Sequence, residues 1–216
     1  AHGATRVEAL RRLSHGLHHT VALGLSTNQV FLNRCIQHPV FAKGGATTAF
    51  IEQQKEQLLQ TDTALAQAAL AVAAVLLFET TNAQPNPVNA LRLTHRLPLH
   101  MRVQHQGQLQ AITLTPSAAN QYQISTPEGQ HHLQCHNLSD QQFSFTLDGV
   151  TECATFVRID HQLHVHFRGH PWTFTDLTRV STARGPDAAG DGKIRASLNG
   201  RVVNLHAPVG DPIKVG

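Results

Sequence analysis

Between Thr63 and Glu79 the chain carries a run nearly devoid of polar side chains: Leu65, Ala66, Ala68, Ala69, Leu70, Ala71, Val72, Ala73, Ala74, Val75, Leu76, Leu77 and Phe78, broken only by Gln67. Thr61-Asp62 ahead of it is a good N-cap pair, so a helix over residues 62–79 is expected. A surface helix shows a charged stripe, and this one has none, so other structure must surround it. Its many alanines would let that structure approach closely. An ordinary helix sandwiched between two others satisfies the same pattern. The run is shorter than the roughly 20 residues needed to cross a bilayer, and neither a membrane span nor a signal segment is expected.

Downstream the hydrophobic period changes. Residues 80–98 read as irregular, with Asn82, Pro85, Asn86, Pro87 and Pro98 breaking any regular element. Beyond them apolar residues alternate with polar ones: Met101 and Val103, Ile112 and Leu114, Tyr122 and Ile124, Leu133 and Cys135, then Phe143, Phe145 and Leu147. Gln106-Gly107 and Pro127-Glu128-Gly129 punctuate these strands, and Asp148-Gly149 is the strongest hairpin signal among them. Val150 to Ile159, Leu163-Val165-Phe167 and Trp172-Phe174 follow, the last entered through Arg168-Gly169. About eight strands with alternating faces suggest an antiparallel barrel or sandwich. The two halves together predict an α+β chain whose long apolar helix is enclosed by an antiparallel β-barrel of about eight strands, with Trp172 filling its core.

Ahead of this region a small α/β segment is expected. Thr5-Arg6-Val7-Glu8 has the form of a capping box, and Leu10, Leu13 and Leu17 at helical spacing predict a helix over residues 6–18. Val21 to Leu25 reads as a short strand. Thr27 is expected to cap a second helix carrying Val30, Phe31 and Ile36, ended by His38-Pro39. Lys43-Gly44-Gly45 is a turn, and Phe50-Ile51 precedes a polar stretch. At the other end, residues 179–192 have linker composition, and Ile194 to Gly216 resumes short strands around Asn199-Gly200.

Charged residues are only 14% of the chain, against roughly 25% in typical domains. Glutamine and 16 histidines supply much of the remaining polar surface. The net charge of +3 is scattered, which argues against a nucleic-acid interface. Cys35, Cys135 and Cys153 are far apart and form neither a disulfide framework nor a zinc motif. His161, His164, His166 and His170 lie close together, and His164 and His166 share one strand face, as the start of a metal site would. No carboxylate or thiol is placed to complete such a site, so a solvated strand face is expected and no metal is assigned. Cys135-His136 point to opposite faces and cannot pair as nucleophile and base. No catalytic residue is assigned.

Three stretches together resemble the biotin-dependent carboxylases. Gly3-Ala4-Thr5-Arg6-Val7-Glu8-Ala9, Gly24-Leu25-Ser26-Thr27-Asn28 and His38-Pro39-Val40-Phe41, up to Thr48-Ala49-Phe50-Ile51, resemble the closing segment of a biotin carboxylase domain. Gly192-Lys193-Ile194-Arg195-Ala196-Ser197-Leu198-Asn199-Gly200-Arg201-Val202, with Val209-Gly210-Asp211-Pro212-Ile213-Lys214-Val215-Gly216, is similar to the first half of a biotinyl domain, although Ser197 and Leu198 replace the usual Pro and Met. The helix and strands between them resemble the mediator domain of the alpha subunits of propionyl-, methylcrotonyl- and geranyl-CoA carboxylases.

The resemblance implies four parts: residues 1–54 as the end of the biotin carboxylase domain, 55–179 as the mediator (helix 62–79, hook 80–98, barrel 99–179), 180–192 as a linker, and 193–216 as the first half of the biotinyl carrier domain. It implies an alpha subunit of the methylcrotonyl or geranyl type, a ligase that forms C–C bonds, within a hetero-oligomer in the bacterial cytoplasm or, second, the mitochondrial matrix. Its partners would be the carboxyltransferase beta subunit, docked on Asn82, Pro85, Asn86, Pro87 and Val88, and the other alpha-subunit domains. Biotin, ATP and Mg or Mn would act elsewhere in the parent subunit. The biotin-accepting lysine is expected beyond Gly216, and Lys214 is not that residue. Gly44-Gly45 and Gly190 lack the lysine and spacing of a phosphate loop. The half biotinyl domain, Ile194 to Gly216, is expected to be weakly packed by itself. Two other classes fit parts of the pattern: a barrel that carries a small apolar ligand, and a histidine-rich metal-binding protein.

Overall fold

A computed structural model describes residues 1–60, 62–82 and 97–180. Arg179 and Val180 mark the boundary between two compact units. The expected linker and biotinyl half, with Gly190, Lys214 and the packing of Ile194 to Gly216, lie outside the described residues, as does the hook from residue 83 to 96.

The first unit opens with helix α1 (Arg6–His19), capped as expected: the Glu8 backbone N–H donates to Thr5 Oγ1 at 3.2 Å, and the Glu8 carboxylate accepts from the Ala4 N–H at 2.9 Å. Helix α2 (Gln29–Gln37) begins at Asn28, whose side chain makes no cap bond, so Thr27 is not its cap. Three short helices follow: α3 (Pro39–Ala42), α4 (Phe50–Gln53) and α5 (Lys55–Leu59). They enclose a small core of Cys35, Phe50 and Leu58, with Phe31 and Phe41 against it.

Val21 to Leu25 forms no strand. Gly24 turns the backbone at φ +76°, and Val21 and Leu25 are exposed. A strand needs a free edge to pair with, and the sheet of this protein closes on itself.

Helix α6 (Thr63–Asn82) is the expected apolar rod. Asp62 Oδ1 accepts the Leu65 N–H at 3.0 Å, which fixes its start. It runs three residues past the expected end, and the Thr80 and Thr81 hydroxyls donate to the carbonyls of Leu76 and Leu77 at 2.6 and 2.7 Å. By length and hydropathy α6 could cross a membrane, but Ala69 to Leu77 are buried in protein.

That protein is a closed barrel of eight antiparallel strands in sequence order: β1 (Leu99–His105), β2 (Gln108–Ala118), β3 (Gln121–Thr126), β4 (Gly129–Leu138), β5 (Gln142–Leu147), β6 (Val150–Ile159), β7 (Gln162–Phe167) and β8 (His170–Asp176). The alternating apolar residues named from the sequence face inward. Registers such as Met101↔Ile112, Leu114↔Ile124, Tyr122↔Leu133 and Val165↔Trp172 line them up on α6. Trp172 belongs to this core. Pro116 lies inside β2 beside a bulge, where a missing N–H is tolerated.

Gln106, Asp148 and Arg168 open two-residue turns at positive φ and are followed by glycines that also take positive φ. This is the backbone that tight antiparallel hairpins require.

Candidate functional site

The end of α6 is where the rod meets the barrel wall in polar contact. A cation near the C-terminus of a helix meets the negative end of the helix dipole. Arg158 supplies one. It occupies an inward position of β6, in register with Leu163, at the rim of the barrel. Its Nη1 donates to the Leu77 carbonyl at 3.1 Å, to Thr80 Oγ1 at 2.6 Å and to Thr81 Oγ1 at 2.7 Å. Its Nε donates to the Asp160 carbonyl at 3.2 Å, and Asp176 Oδ2 stands 3.9 Å from Nη2.

On the far side of the same rim the Tyr122 hydroxyl donates to Glu79. The last described turn of α6 is thus gripped by β3 and β6. Asn82 is its final residue; Pro85, Asn86, Pro87 and Val88 lie outside the described residues.

The second polar locus is the outer face of β7 and the β7–β8 turn. His164 and His166 are not on a solvated face: each is only 8% exposed. The end of α1 and the chain just after it lie over this face, and His18, His19 and Val21 line one cleft with Glu152, Cys153, His166 and Arg168. His164 Nδ1 lies 3.1 Å from Thr173 Oγ1. His170 Nδ1 lies 2.9 Å from the Arg168 carbonyl, while His161 sits in the β6–β7 turn, where its carbonyl accepts the Asp176 N–H at 2.7 Å. Among the described residues no three His, Cys, Asp or Glu side chains converge with geometry that could hold a metal.

The cysteines divide by environment. Burial pushes the Cys135 thiol above its ordinary pKa, and the Glu79 charge adds to this. Burial does the same for Cys35. Neither is a ready thiolate. His136 bonds outward to Thr146 at 2.7 Å, on the side away from Cys135.

The described residues do not build a site for ATP or for covalent biotin. Gly44 turns at φ +81°, and the Gly45 N–H is already taken by the Val40 carbonyl at 2.9 Å, so this pair offers no amide cradle for a phosphate. The described lysines are Lys43, which ends α3, and Lys55, which begins α5. Neither stands at a hairpin tip. The barrel interior is also closed to a ligand, because α6 occupies it and Ala71 to Leu76 are fully buried.

Sequence reasoning missed the Arg158 grip and the covering of β7. A signal for the first was present, since Ala154, Phe156 and Arg158 share one face of β6 and a charge on an inward face demands a partner. Nothing local to β7 revealed the second, because the cover comes from more than 140 residues away.

Comparison with known families agrees with this architecture. A family model described as the biotin carboxylase C-terminal domain matches residues 1–53. No curated protein matches the chain. A second family model, described as methylcrotonyl-CoA carboxylase, alpha-subunit, BT domain, matches residues 61–179, more than half of the chain and the whole of the rod and barrel. With helices and barrel in the matching order, the chain belongs to the BT-domain family of biotin-dependent carboxylase alpha subunits.

Proposed function

We propose that this part of the alpha subunit is a non-catalytic mediator: it joins the biotin carboxylase module to a carboxyltransferase beta subunit and tethers the biotin carrier. The observation that carries this reading is the double grip on α6. Arg158 and Tyr122 hold its last turn to the barrel wall, so the chain leaves the barrel from a set point at Asn82. A docking segment gains affinity when its root is already ordered, because less freedom is lost on binding. A barrel filled by its own helix, with no ATP or biotin site among its described residues, suits a role in holding other domains.

The methylcrotonyl or geranyl type is our assignment within the family, and the description of the matching model names the methylcrotonyl enzyme. ATP and Mg or Mn would act in the biotin carboxylase domain, and biotin would be carried beyond residue 192 across the 180–192 linker. The parent enzyme would then join a carboxyl carbon to its acyl-CoA by a C–C bond, the beta subunit choosing the acyl group.

Docking is tested on the alpha subunit co-expressed with its beta subunit. Charge substitutions at Pro85, Asn86, Pro87 and Val88 should weaken co-purification by about ten-fold or more, the scale of interface anchor residues, while the thermal transition of the alpha subunit stays in place. Full recovery of the beta subunit with all four substituted would refute the docking role.

A further inference from the structure

We infer that the seam between α1 and the β7–β8 hairpin of the barrel is a proton-sensitive dock, in which protonation of His18 and His166 releases α1 from the barrel. The geometry starts at Gly169, in the turn between β7 and β8 at φ +74°. The His18 imidazole lies so close over this residue that a Cβ added to Gly169 would overlap its ring. Next to it His166 is buried, and its Nε2 is out of water with no hydrogen-bond partner. A neutral ring tolerates that position, whereas an imidazolium would bury a charged N–H with nothing to receive it.

The groups facing these two rings are mostly of one kind. From α1 come His15 and His19, whose rings lie 4.2 Å apart, with the His18 ring 5.4 Å from that of His19. From β8 comes His170, from β6 Glu152 and Cys153, and from the β7–β8 turn Arg168. Glu152 is the one carboxylate that lines the cleft among the described residues. It is already committed to Arg168, in a two-pronged pair at 2.8 and 2.7 Å. The two other carboxylates whose charge reaches Arg168, Asp148 and Asp62, are themselves bonded, to His131 and to the Leu65 N–H, so protons arriving at the seam meet other imidazoles and no unbonded carboxylate.

The α1 C-terminus by itself favours a protonated imidazole, but burial and the neighbouring rings act the other way. Burial lowers the pKa of His18, helped by His19, His170 and His15. Burial also lowers that of His166, helped by His18, His170 and His19. An undocked imidazole returns to its ordinary value near 6.5. Since the undocked state binds more protons, docking weakens as the pH falls through and below that value. The residues that match a biotin carboxylase domain contain α1, and those that match a BT domain contain the barrel. Acidification would therefore loosen the joint between these two parts of the subunit.

The test is hydrogen exchange on the full chain without a beta subunit, so its outcome is independent of the docking role proposed above. Protection factors corrected for intrinsic rates are compared at pH 7.5 and 5.5, with β3 and β4 as internal reference. Protection over residues 6–19 should fall roughly ten-fold or more relative to the reference. The double variant His18→Gln, His166→Gln should lose this pH dependence. Should the double variant fail to fold, imidazole resonances of the wild-type chain still decide: His18 and His166 must titrate below 6.5. Equal protection at both pH values, an unchanged pH response in the double variant, or protection at pH 7.5 that EDTA removes would overturn the proposal.

Discussion

Arg158 and Arg168 show how one residue type serves two ends of the barrel. Arg168 takes φ +48° in the β7–β8 turn, a conformation that costs an L-residue roughly 1 kcal/mol. Its side chain offsets this by bonding both oxygens of Glu152 and lying 4.9 Å over the Phe167 ring. Arg158 instead donates to a carbonyl and two hydroxyls in the last turns of α6. Replacing it by methionine keeps the aliphatic stem and removes the donors. We expect a loss of about 2 kcal/mol, typical of hydrogen bonds from a charged group, seen as a melting temperature lower by roughly 5–10 °C. An unchanged melting temperature would show that the grip contributes no stability.

At the scale of the element, α6 is what the barrel is built around. Its alanines set how near the wall can come, and Ala71, Ala73 and Ala74 are fully buried. Ala73→Leu would push extra carbons into a filled core, and a destabilisation near 3 kcal/mol is expected, at the upper end of overpacking penalties. Chemical denaturation of this variant checks the value. A loss below about 0.5 kcal/mol would mean a void beside α6. The rod was legible because a helix without a polar stripe has few other ways to exist. Its continuation to Asn82 was not, because Thr80 and Thr81 bond back to their own helix and meet Arg158, a partner 78 residues beyond Thr80.

For the whole molecule, closure is uneven. Most neighbouring strands share five or more paired positions, but β1 and β8 share Val103↔Asp176 and Gln104↔Thr175. Beyond β8 the join is prolonged by the Leu177 N–H donating to the Arg102 carbonyl at 2.8 Å and by Arg102 Nη2 donating to the Leu177 carbonyl at 2.9 Å. Sub-global opening follows the least-bonded seam. Amide exchange should therefore be faster over residues 99–105 and 170–178 than over 121–138 at neutral pH, measured by mass spectrometry on peptic fragments. The reverse order would locate the opening elsewhere.

Side-chain periodicity by itself determined the enclosed helix, the number of strands and their inward rows, because period 2 and period 3.6 are written locally and burial obeys them. Tertiary structure alone decided the rest. A barrel rather than a sandwich depends on β8 meeting β1, a pairing between segments some 70 residues apart. That closure also left Val21 to Leu25 no edge to join. The same folding placed the end of α1 beside β7, where His166, an outward-facing strand residue, is buried. Which face of a strand meets water is set by what packs on it, and alternation along one strand carries no record of a distant helix.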